Sequence, residues 1–314
     1  DTVRTTGTRA WLQSEMTRPQ SQSMKDWLIA KGYNDATVSS NVNGEGGWVN
    51  AMWAKLFAGG DAVRQRAVLA WSEIFVVSAL GLPISWRNFA LANHWENLEK
   101  HAFGNFRNLL EAVTLSSAMG TYLNMKGNQK TDPVTGRAPD ENYAREVMQL
   151  FTIGLYQLNA DGSLKLDAAG KPIETYSQRD VIEATRTLTG WNWAEGDQQR
   201  SRANFANYGK AMVPFWSDQH DTGSKTVLGK TIAAGQSAEK DLDSLIQILV
   251  THPNTAPFVS LRLIQGLTTS NPSPAYLERV SKVFVQTGGQ LDKVITAILM
   301  DTEARLGEHI AVAV

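Results

Sequence analysis

A single amphipathic helix is predicted in the middle of the chain by the stretch Asp140-Glu-Asn-Tyr-Ala-Arg-Glu-Val-Met-Gln-Leu-Phe-Thr-Ile-Gly154. Pro139 precedes this stretch and Gly154 closes it, and both residue types are typical of helix ends. At about 100° per residue, the apolar side chains fill one side. The opposite arc holds a polar stripe of Asn142, Arg145, Glu146 and Gln149. Such a stripe is either a solvated face or the lining of a polar cleft.

Capped segments with helical apolar spacing recur on both sides of this stretch, about ten in all. The only strand signal is weak. Leu158 to Thr175, with turn residues at Asp161-Gly162 and Ala169-Gly170, is either a small β-hairpin near Leu164 to Thr175 or an irregular insertion. We therefore predict an all-α fold. It should form a single large multi-helix domain over 1–314, with at most one small β-hairpin insertion.

The composition excludes several classes of protein. Among 314 residues, 30 are basic and 31 are acidic, so the net charge gives no reason to expect binding to nucleic acid or an anionic membrane. Without cysteine there is no disulfide, thiolate metal site or thiol nucleophile. No apolar run is long enough to span a bilayer, so we expect a soluble product. The chain begins at Asp1 without a signal-like apolar run, so we expect a processed or trimmed form.

Two polar side chains interrupt the apolar face of a helix predicted from Phe89 to Leu115. His101 and Asn105 are one turn apart on that face. Buried polar groups must find partners. These two side chains either hydrogen-bond each other or a nearby backbone, or they line the floor of a pocket.

A further helix, Val181 to Leu188, begins after the capping box Ser177-Gln-Arg-Asp180. Arg186 lies on its more apolar side, where an arginine is expected to pair with a protein carboxylate or an anionic ligand. We expect this helix to pack on the central one, bringing Arg186 close to the polar stripe. A structural alternative is an ionic network in which Arg145 and Glu146 pair with Glu183 and Arg186 across the two helices.

The segment Gly190 to Gly235 shows no periodicity and mixes aromatic with polar residues. Loops of this length in a compact domain are usually functional or disordered, and the aromatic content argues against disorder. We expect the part up to Gly229 to form one wall of a site facing the polar stripe. The chain has ten tryptophans, which either fill the core or, in part, stack on sugars. The side chains expected in this wall are Trp191, Trp193, Trp216, His220, Asp221 and Lys225.

Five stretches, taken in order, closely resemble a bacterial family filed as domain of unknown function 1800. They are His101-Ala-Phe-Gly-Asn-Phe-Arg-Asn-Leu-Leu110, Glu141 to Gly154, Arg186-Thr-Leu-Thr-Gly-Trp191, His220-Asp-Thr-Gly-Ser-Lys-Thr-Val-Leu-Gly229 and Thr251-His-Pro-Asn254. The resemblance covers nearly the whole chain. It implies an exported protein, periplasmic or extracellular, often encoded beside a partner similar to sulfatases. Members usually extend further at both ends.

This chain departs from the family pattern at two places. Where members commonly show Trp-His-x-His-Phe, it has Trp71-Ser-Glu-Ile-Phe75, so both candidate imidazole ligands are replaced. Where members commonly have a glutamate in the central helix, it has Gln149, so a mechanism needing paired carboxylates at Glu146 and that position is excluded. We therefore predict no bound metal and no organic cofactor.

The chemistry that remains is acid–base catalysis by carboxylates, tuned by neighbouring cations. The candidate catalytic residues are Glu146, Asp221 and His220. The candidate binding residues are Asn142, Arg145, Arg186, Trp191, Trp193, Trp216 and Lys225. One hypothesis is a recognition protein for a polysaccharide, another anionic polymer or a sulfatase-like partner. The alternative is a carboxylate-dependent glycoside hydrolase that uses tryptophans to hold the sugar.

Overall fold

The computed structural model describes residues 2–194 and 205–306. The first half of this part contains nine α-helices. They are α1 (Thr2–Thr6), α2 (Thr8–Met16), α3 (Met24–Ala30), α4 (Ser39–Asn43), α5 (Gly46–Ala58), α6 (Ala62–Ile74), α7 (Arg87–His101), α8 (Phe106–Thr114) and α9 (Ser117–Tyr122).

The second half of the described chain contains seven more helices and a short hairpin. The helices are α10 (Asn142–Gln149), α11 (Gln178–Thr187), α12 (Ala238–Val250), α13 (Thr255–Leu267), α14 (Pro274–Gln286), α15 (Leu291–Met300) and α16 (Thr302–Leu306). The strands are β1 (Lys225–Val227) and β2 (Lys230–Ile232), which pair antiparallel. Two 3₁₀ turns cover Phe205–Gly209 and Ser217–Gln219. The all-α fold class is confirmed.

Local signals account for several helix starts. The Ser177 hydroxyl accepts a hydrogen bond from the Asp180 N–H while the Asp180 carboxylate accepts one from the Ser177 N–H, which is the predicted capping box of α11. The Ser273 hydroxyl caps α14 by accepting from the Tyr276 N–H, and Pro274 lies in the first turn. These short-range interactions satisfy backbone groups that no helix can satisfy at its own end.

Aromatic side chains join the helices in the core. Trp71 of α6 packs against Phe75 and, at 6.0 Å between ring centroids, against Phe106 at the start of α8. Phe75 meets Phe151, just beyond α10, at 5.2 Å in an edge-to-face contact. All four rings are almost fully buried. This packing fixes one side of α10 against the core, so its polar stripe faces outward.

The central helix is shorter than the sequence predicts. It ends at Gln149, and the chain then curls back so that the N–H groups of Ile153 and Gly154 both reach Met148 O, at 2.9 and 3.0 Å. Gly154 has a φ of 68°, which glycine adopts without strain. A Cβ there would lie 2.6 Å from the Phe258 ring. The glycine thus ends the helix and admits a side chain of α13.

The stretch from Leu158 to Thr175 forms the irregular insertion, one of the two predicted alternatives, and the hairpin of the described chain lies at β1 and β2 instead. Between residues 156 and 174 the structure shows isolated bridges, such as Tyr156 with Glu174, instead of strands. The side chains of Leu164 and Leu166 are 45% and 55% exposed, so a sheet there would have no apolar face to bury. In the observed hairpin, Val227 and Ile232 are buried.

The helix predicted from Phe89 to Leu115 is broken in two. α7 ends at His101, and Asn105 caps α8 by accepting from the Arg107 N–H at 2.9 Å and donating to Gly288 O at 2.8 Å. His101 and Asn105 therefore do not share a helix face. Asn105 has backbone partners, as the structural interpretation required, whereas His101 lines a polar cavity of about 390 Å³.

In the described part of the chain, no helix is long and apolar enough to cross a membrane.

Candidate functional site

α10 and α11 pack against each other, as predicted, and Arg145 lies where they meet. Arg145 Nη2 donates to Glu141 Oε2 at 2.9 Å and to Gln178 Oε1 at 3.0 Å. Gln178 Nε2 donates to the same Glu141 oxygen at 2.8 Å, closing a triangle of polar side chains. The Arg145 side chain is still 39% exposed, so part of its guanidinium faces solvent.

A small cleft of about 210 Å³ opens beside this triangle, and we call it the α10 cleft. Its lining residues are Arg145, Gln149, Leu155, Tyr156, Glu174, Tyr176, Ser177 and Gln178. The Tyr176 hydroxyl donates to Gln149 Oε1 at 2.9 Å, which turns the Gln149 carboxamide toward the cleft and leaves its N–H groups for other acceptors. Tyr156 is 44% exposed. The cleft thus contains both hydrogen-bond donors and an exposed aromatic side chain.

Glu146 lies beside this cleft, next to Arg145 in the chain. Its Oε2 atom is buried and has no hydrogen-bond partner among the described residues. Burial raises the pKa of Glu146, and the nearby Arg145 guanidinium offsets only part of that effect. Burial, together with the charge of Glu146, also raises the pKa of Tyr176. Glu146 is therefore a carboxyl group that keeps its proton at higher pH than usual.

Asn142 contributes the start of α10. It is the first helical residue, and its N–H donates to Asp140 Oδ1 at 2.8 Å. Its side chain is half-buried and is not part of the cleft lining.

Arg186 pairs with protein carboxylates, one of the two outcomes predicted. Its Nε and Nη2 atoms donate to the two Asp221 oxygens at 2.7 and 3.0 Å, and its Nη1 atom donates to Glu183 at 2.9 Å. Burial by itself would raise the pKa of Asp221, but the hydrogen bonds from Arg186 and from the Gly223 N–H outweigh it and lower the pKa. The alternative network across the two helices does not form, because Arg145 bonds to Glu141 and Gln178 instead.

His220 lies buried between the end of α11 and the start of α12. Its Nδ1 atom is 2.9 Å from Thr189 O, and its Nε2 atom is 3.1 Å from Asp241 Oδ2. Both ring nitrogens therefore have a polar partner inside the protein, which holds the imidazole between the two helices.

Lys225 completes this buried network. Its ammonium donates to Asp241 Oδ2 at 2.6 Å, to Gly223 O at 2.9 Å and to Asp221 O. The side chains of Lys225 and Asp241 are 1% and 0% exposed. All three ammonium hydrogens are therefore used inside the protein. Lys225 and His220 hold the irregular segment to the first turns of α12 and do not face a cleft.

Two of the three tryptophans expected in the wall, Trp191 and Trp193, are buried in the core. The side chains of Trp191 and Trp193 are 2% and 0% exposed, and Trp193 packs edge-on against Tyr208 at 5.7 Å. Trp216 is half-buried and approaches Gly127. Neither Trp191 nor Trp193 has a ring face open to a sugar, so the core-filling interpretation applies to both.

The expected wall from Gly190 to Gly229 also differs from the structure. The described part of this segment contributes no residue to the lining of the α10 cleft. The lining comes from α10, the start of α11 and the irregular chain between them. Residues 195–204 of the predicted wall lie outside the described residues.

A family model described as protein of unknown function (DUF1800) matches residues 1–311 of the 314-residue chain. The chain belongs to the DUF1800 family. No curated protein and no solved structure matches it. The family description assigns no activity, so the evidence on this DUF1800 member is the geometry of its own residues.

Ser72 and Ile74, where the family resemblance led us to expect that two imidazole ligands are replaced, lie at the edge of the core on α6. Ser72 Oγ donates to Leu69 O at 2.7 Å, and Ile74 is 8% exposed. Within residues 2–194 and 205–306 there is no group of three or more His, Asp or Glu side chains that could hold a metal ion.

Several important residues of this DUF1800 protein carry no recognisable sequence signal. Tyr156 lies between the predicted central helix and the stretch predicted as a hairpin, and its exposure follows only from the folded arrangement. Asp241 resembles an ordinary acidic residue in the first turn of a helix. Lys55 and Glu99 form a buried pair at 2.5 and 2.6 Å although 44 residues separate them, and burial raises the pKa of Glu99 despite the adjacent ammonium.

Proposed function

We propose that this DUF1800 protein recognises a sugar unit of a polysaccharide, and that the α10 cleft is the binding site. The observation that carries the proposal is the combination, in one cleft, of an exposed tyrosine with unsatisfied donors on Arg145 and Gln149. A sugar has an apolar face that packs on an aromatic ring and hydroxyl groups that need several donors and acceptors. The exposed Glu174 carboxylate supplies an acceptor.

The charges around the cleft favour a neutral or amino sugar over an anionic polymer. Arg145 is already paired with Glu141 at 2.9 Å. Glu141 thus offsets the one guanidinium, and Glu174 on the cleft wall adds a further carboxylate. An anionic ligand would be repelled by the excess negative charge.

The proposal extends to location and partner. The protein acts in the periplasm or outside the cell beside a sulfatase-like protein, as the family resemblance implies.

The test is a glycan array with purified protein and variants of the cleft. Tyr156→Ala and Gln149→Ala should each weaken binding about tenfold, because each removes one contact worth roughly 1 to 1.5 kcal/mol. Trp53→Ala is the matched control, since Trp53 is 48% exposed but lies on α5, which does not line the cleft. Equal loss of binding in all three variants, or no loss in either cleft variant, would place the site elsewhere.

A second candidate function, glycoside hydrolysis, is favoured by Glu146 alone. A carboxyl group with a buried, unpartnered oxygen and a raised pKa suits a general acid that protonates a leaving oxygen. Glu174 is the carboxylate on the cleft wall available as its partner. If Glu146→Gln abolishes release of reducing sugar while binding survives, the protein is a hydrolase. Binding of the wild type without any product supports recognition alone.

A further inference from the structure

Two cavities of about 710 and 720 Å³ meet beside the C-terminal half of α12. They share four lining residues, so they form one continuous depression, which we call the α12 groove. The shared residues are Gln247, Thr251, His252 and Pro253. The groove has no lining residue in common with the α10 cleft.

One face of α12 forms the length of the groove. The α12 residues in its lining recur every three or four positions from Lys240, as one helix face requires. From Lys240 to Thr251 the helix axis rises about 16 Å, at about 1.5 Å per residue. An extended peptide covers that length with about five residues, at about 3.3 Å each.

One end of the groove is an apolar slot. Its apolar lining is Phe106, Val250, Ala256, Phe284 and Val285, and its rim carries Asn105 and Arg107, whose guanidinium is paired with Glu111 and Asp243. Val285 is 68% exposed, so its side chain is open to a ligand at the mouth of the slot. Phe106 and Phe284 are only 1% and 5% exposed, so they offer no flat ring on which a sugar could stack. The slot suits a single large apolar side chain.

The opposite end of the groove is basic. Lys230 of β2 and Lys240 of α12 line it, and Lys240 is 63% exposed. The carboxylate of Asp243 lies among them, but it is already paired with Arg107 and Lys240. The unbalanced charge at this end is therefore positive and complements an acidic side chain.

The middle of the groove offers hydrogen bonds to a peptide backbone. His252 Nδ1 accepts from the Asn254 N–H at 3.2 Å, so the neutral ring carries its hydrogen on Nε2, and no partner for that atom lies among the described residues. Gln247 is exposed and presents a free carboxamide. β2, at the edge of the groove, has a strand neighbour on one side only in the described part of the chain. An open strand edge can pair with an added extended segment.

We propose that the α12 groove binds an extended segment of a partner protein. The segment places a large apolar side chain in the slot beside Val285 and an acidic side chain near Lys230 and Lys240, about four residues away. Main-chain carbonyl groups between them accept from His252 and Gln247. The proposal is independent of sugar binding at the α10 cleft.

The test is selection from a random phage-displayed peptide library on the immobilised full chain, followed by fluorescence anisotropy with the enriched peptide. The enriched peptides should combine an aromatic or leucine residue with Asp or Glu about four positions away. Val285→Asp should weaken the selected peptide about tenfold or more, as for a central apolar contact. The double variant Lys230→Glu, Lys240→Glu should weaken it too, with a smaller difference from wild type at high salt.

Matched controls separate the groove from general surface effects. Val134→Asp and Lys171→Glu change exposed residues of the same types that do not line the groove, and they should leave the affinity unchanged. Tyr156→Ala should also leave peptide binding unchanged, whatever it does to sugars. Circular dichroism confirms that each variant is folded. Enriched peptides without the apolar–acidic pattern, or with full affinity for Val285→Asp, would overturn the proposal, as would a failure to enrich any peptide.

Discussion

Arg186 holds Asp221 through two parallel hydrogen bonds, Nε to Oδ2 at 2.7 Å and Nη2 to Oδ1 at 3.0 Å. The pair ties α11 to the irregular segment that begins at Gly190. A few residues further on, Lys225 ties the same segment to Asp241 of α12 at 2.6 Å. Charged side chains that could have formed a catalytic site are thus engaged with one another, and they attach the stretch from Asp221 to Lys225 to α11 and α12.

Replacing Arg186 should show how much the paired geometry contributes to stability. Lysine keeps the charge but cannot donate two parallel hydrogen bonds to one carboxylate, so Arg186→Lys should lower the free energy of unfolding by about 1 to 2 kcal/mol. Arg186→Ala should cost about 2 to 4 kcal/mol, because Asp221 and Glu183 then lose their common partner. Urea unfolding at neutral pH measures both changes.

The control for this prediction is Arg145→Ala. Arg145 makes an ion pair within its own helix and is 39% exposed, so its loss should cost less than about 1 kcal/mol. A larger loss for Arg145→Ala than for Arg186→Ala would show that the cleft triangle, and not the Arg186–Asp221 pair, stabilises this region.

Replacing the buried Lys225 should lower the free energy of unfolding more than replacing Arg186. Lys225→Met leaves the fully buried Asp241 without its ammonium partner, so the free energy of unfolding should fall by about 3 to 5 kcal/mol. Adding Asp241→Leu to this variant should recover part of the loss, because no uncompensated carboxylate then remains. The control is Lys240→Met. Lys240 is next to Asp241 on α12 but its side chain is 63% exposed, so this change should alter stability by less than about 0.5 kcal/mol. A thermal melt that shows no difference between Lys225→Met and Lys240→Met would contradict the prediction.

His94 should make the protein sensitive to mild acid. Burial lowers its pKa from 6.5 to about 4, although its Nε2 atom lies 2.9 Å from Phe75 O. Between these pH values the unfolded chain binds a proton that the folded protein does not, so stability rises with pH. The contribution of His94 is complete above about pH 6.5. About 3 kcal/mol should be lost as the pH falls to about 4.

The measurement is the urea midpoint as a function of pH from 4 to 8 for wild type and His94→Gln. Burial also lowers the pKa of His101 and His252, so both proteins should lose stability in acid. The variant should lose less, since glutamine binds no proton in this range. Parallel profiles for the two proteins would mean that His94 is not the group responsible.

Much of this fold could be predicted from sequence because the signals are local. The capping box at Ser177 and the Ser273-Pro274 start of α14 act within one helical turn, and Gly154 ends the central helix through its own backbone freedom. The polar stripe of α10 follows from helix periodicity alone. The order of five short motifs was sufficient to place the chain in its family.

Only the tertiary structure decided which polar residues meet. Arg186 pairs with Asp221, 35 residues further along the chain. At the break between α7 and α8, the Asn105 side chain donates to the carbonyl oxygen of the distant Gly288. Trp193 and Tyr156 are both aromatic residues in irregular segments, yet one is buried in the core and the other is open beside a cleft. Helix periods and caps depend on neighbours within about four residues, whereas partners, burial and cavities depend on how distant helices pack. For that reason the sequence alone determined the all-α fold class and the family, and the packing determined where some helices end, the α10 cleft and the α12 groove.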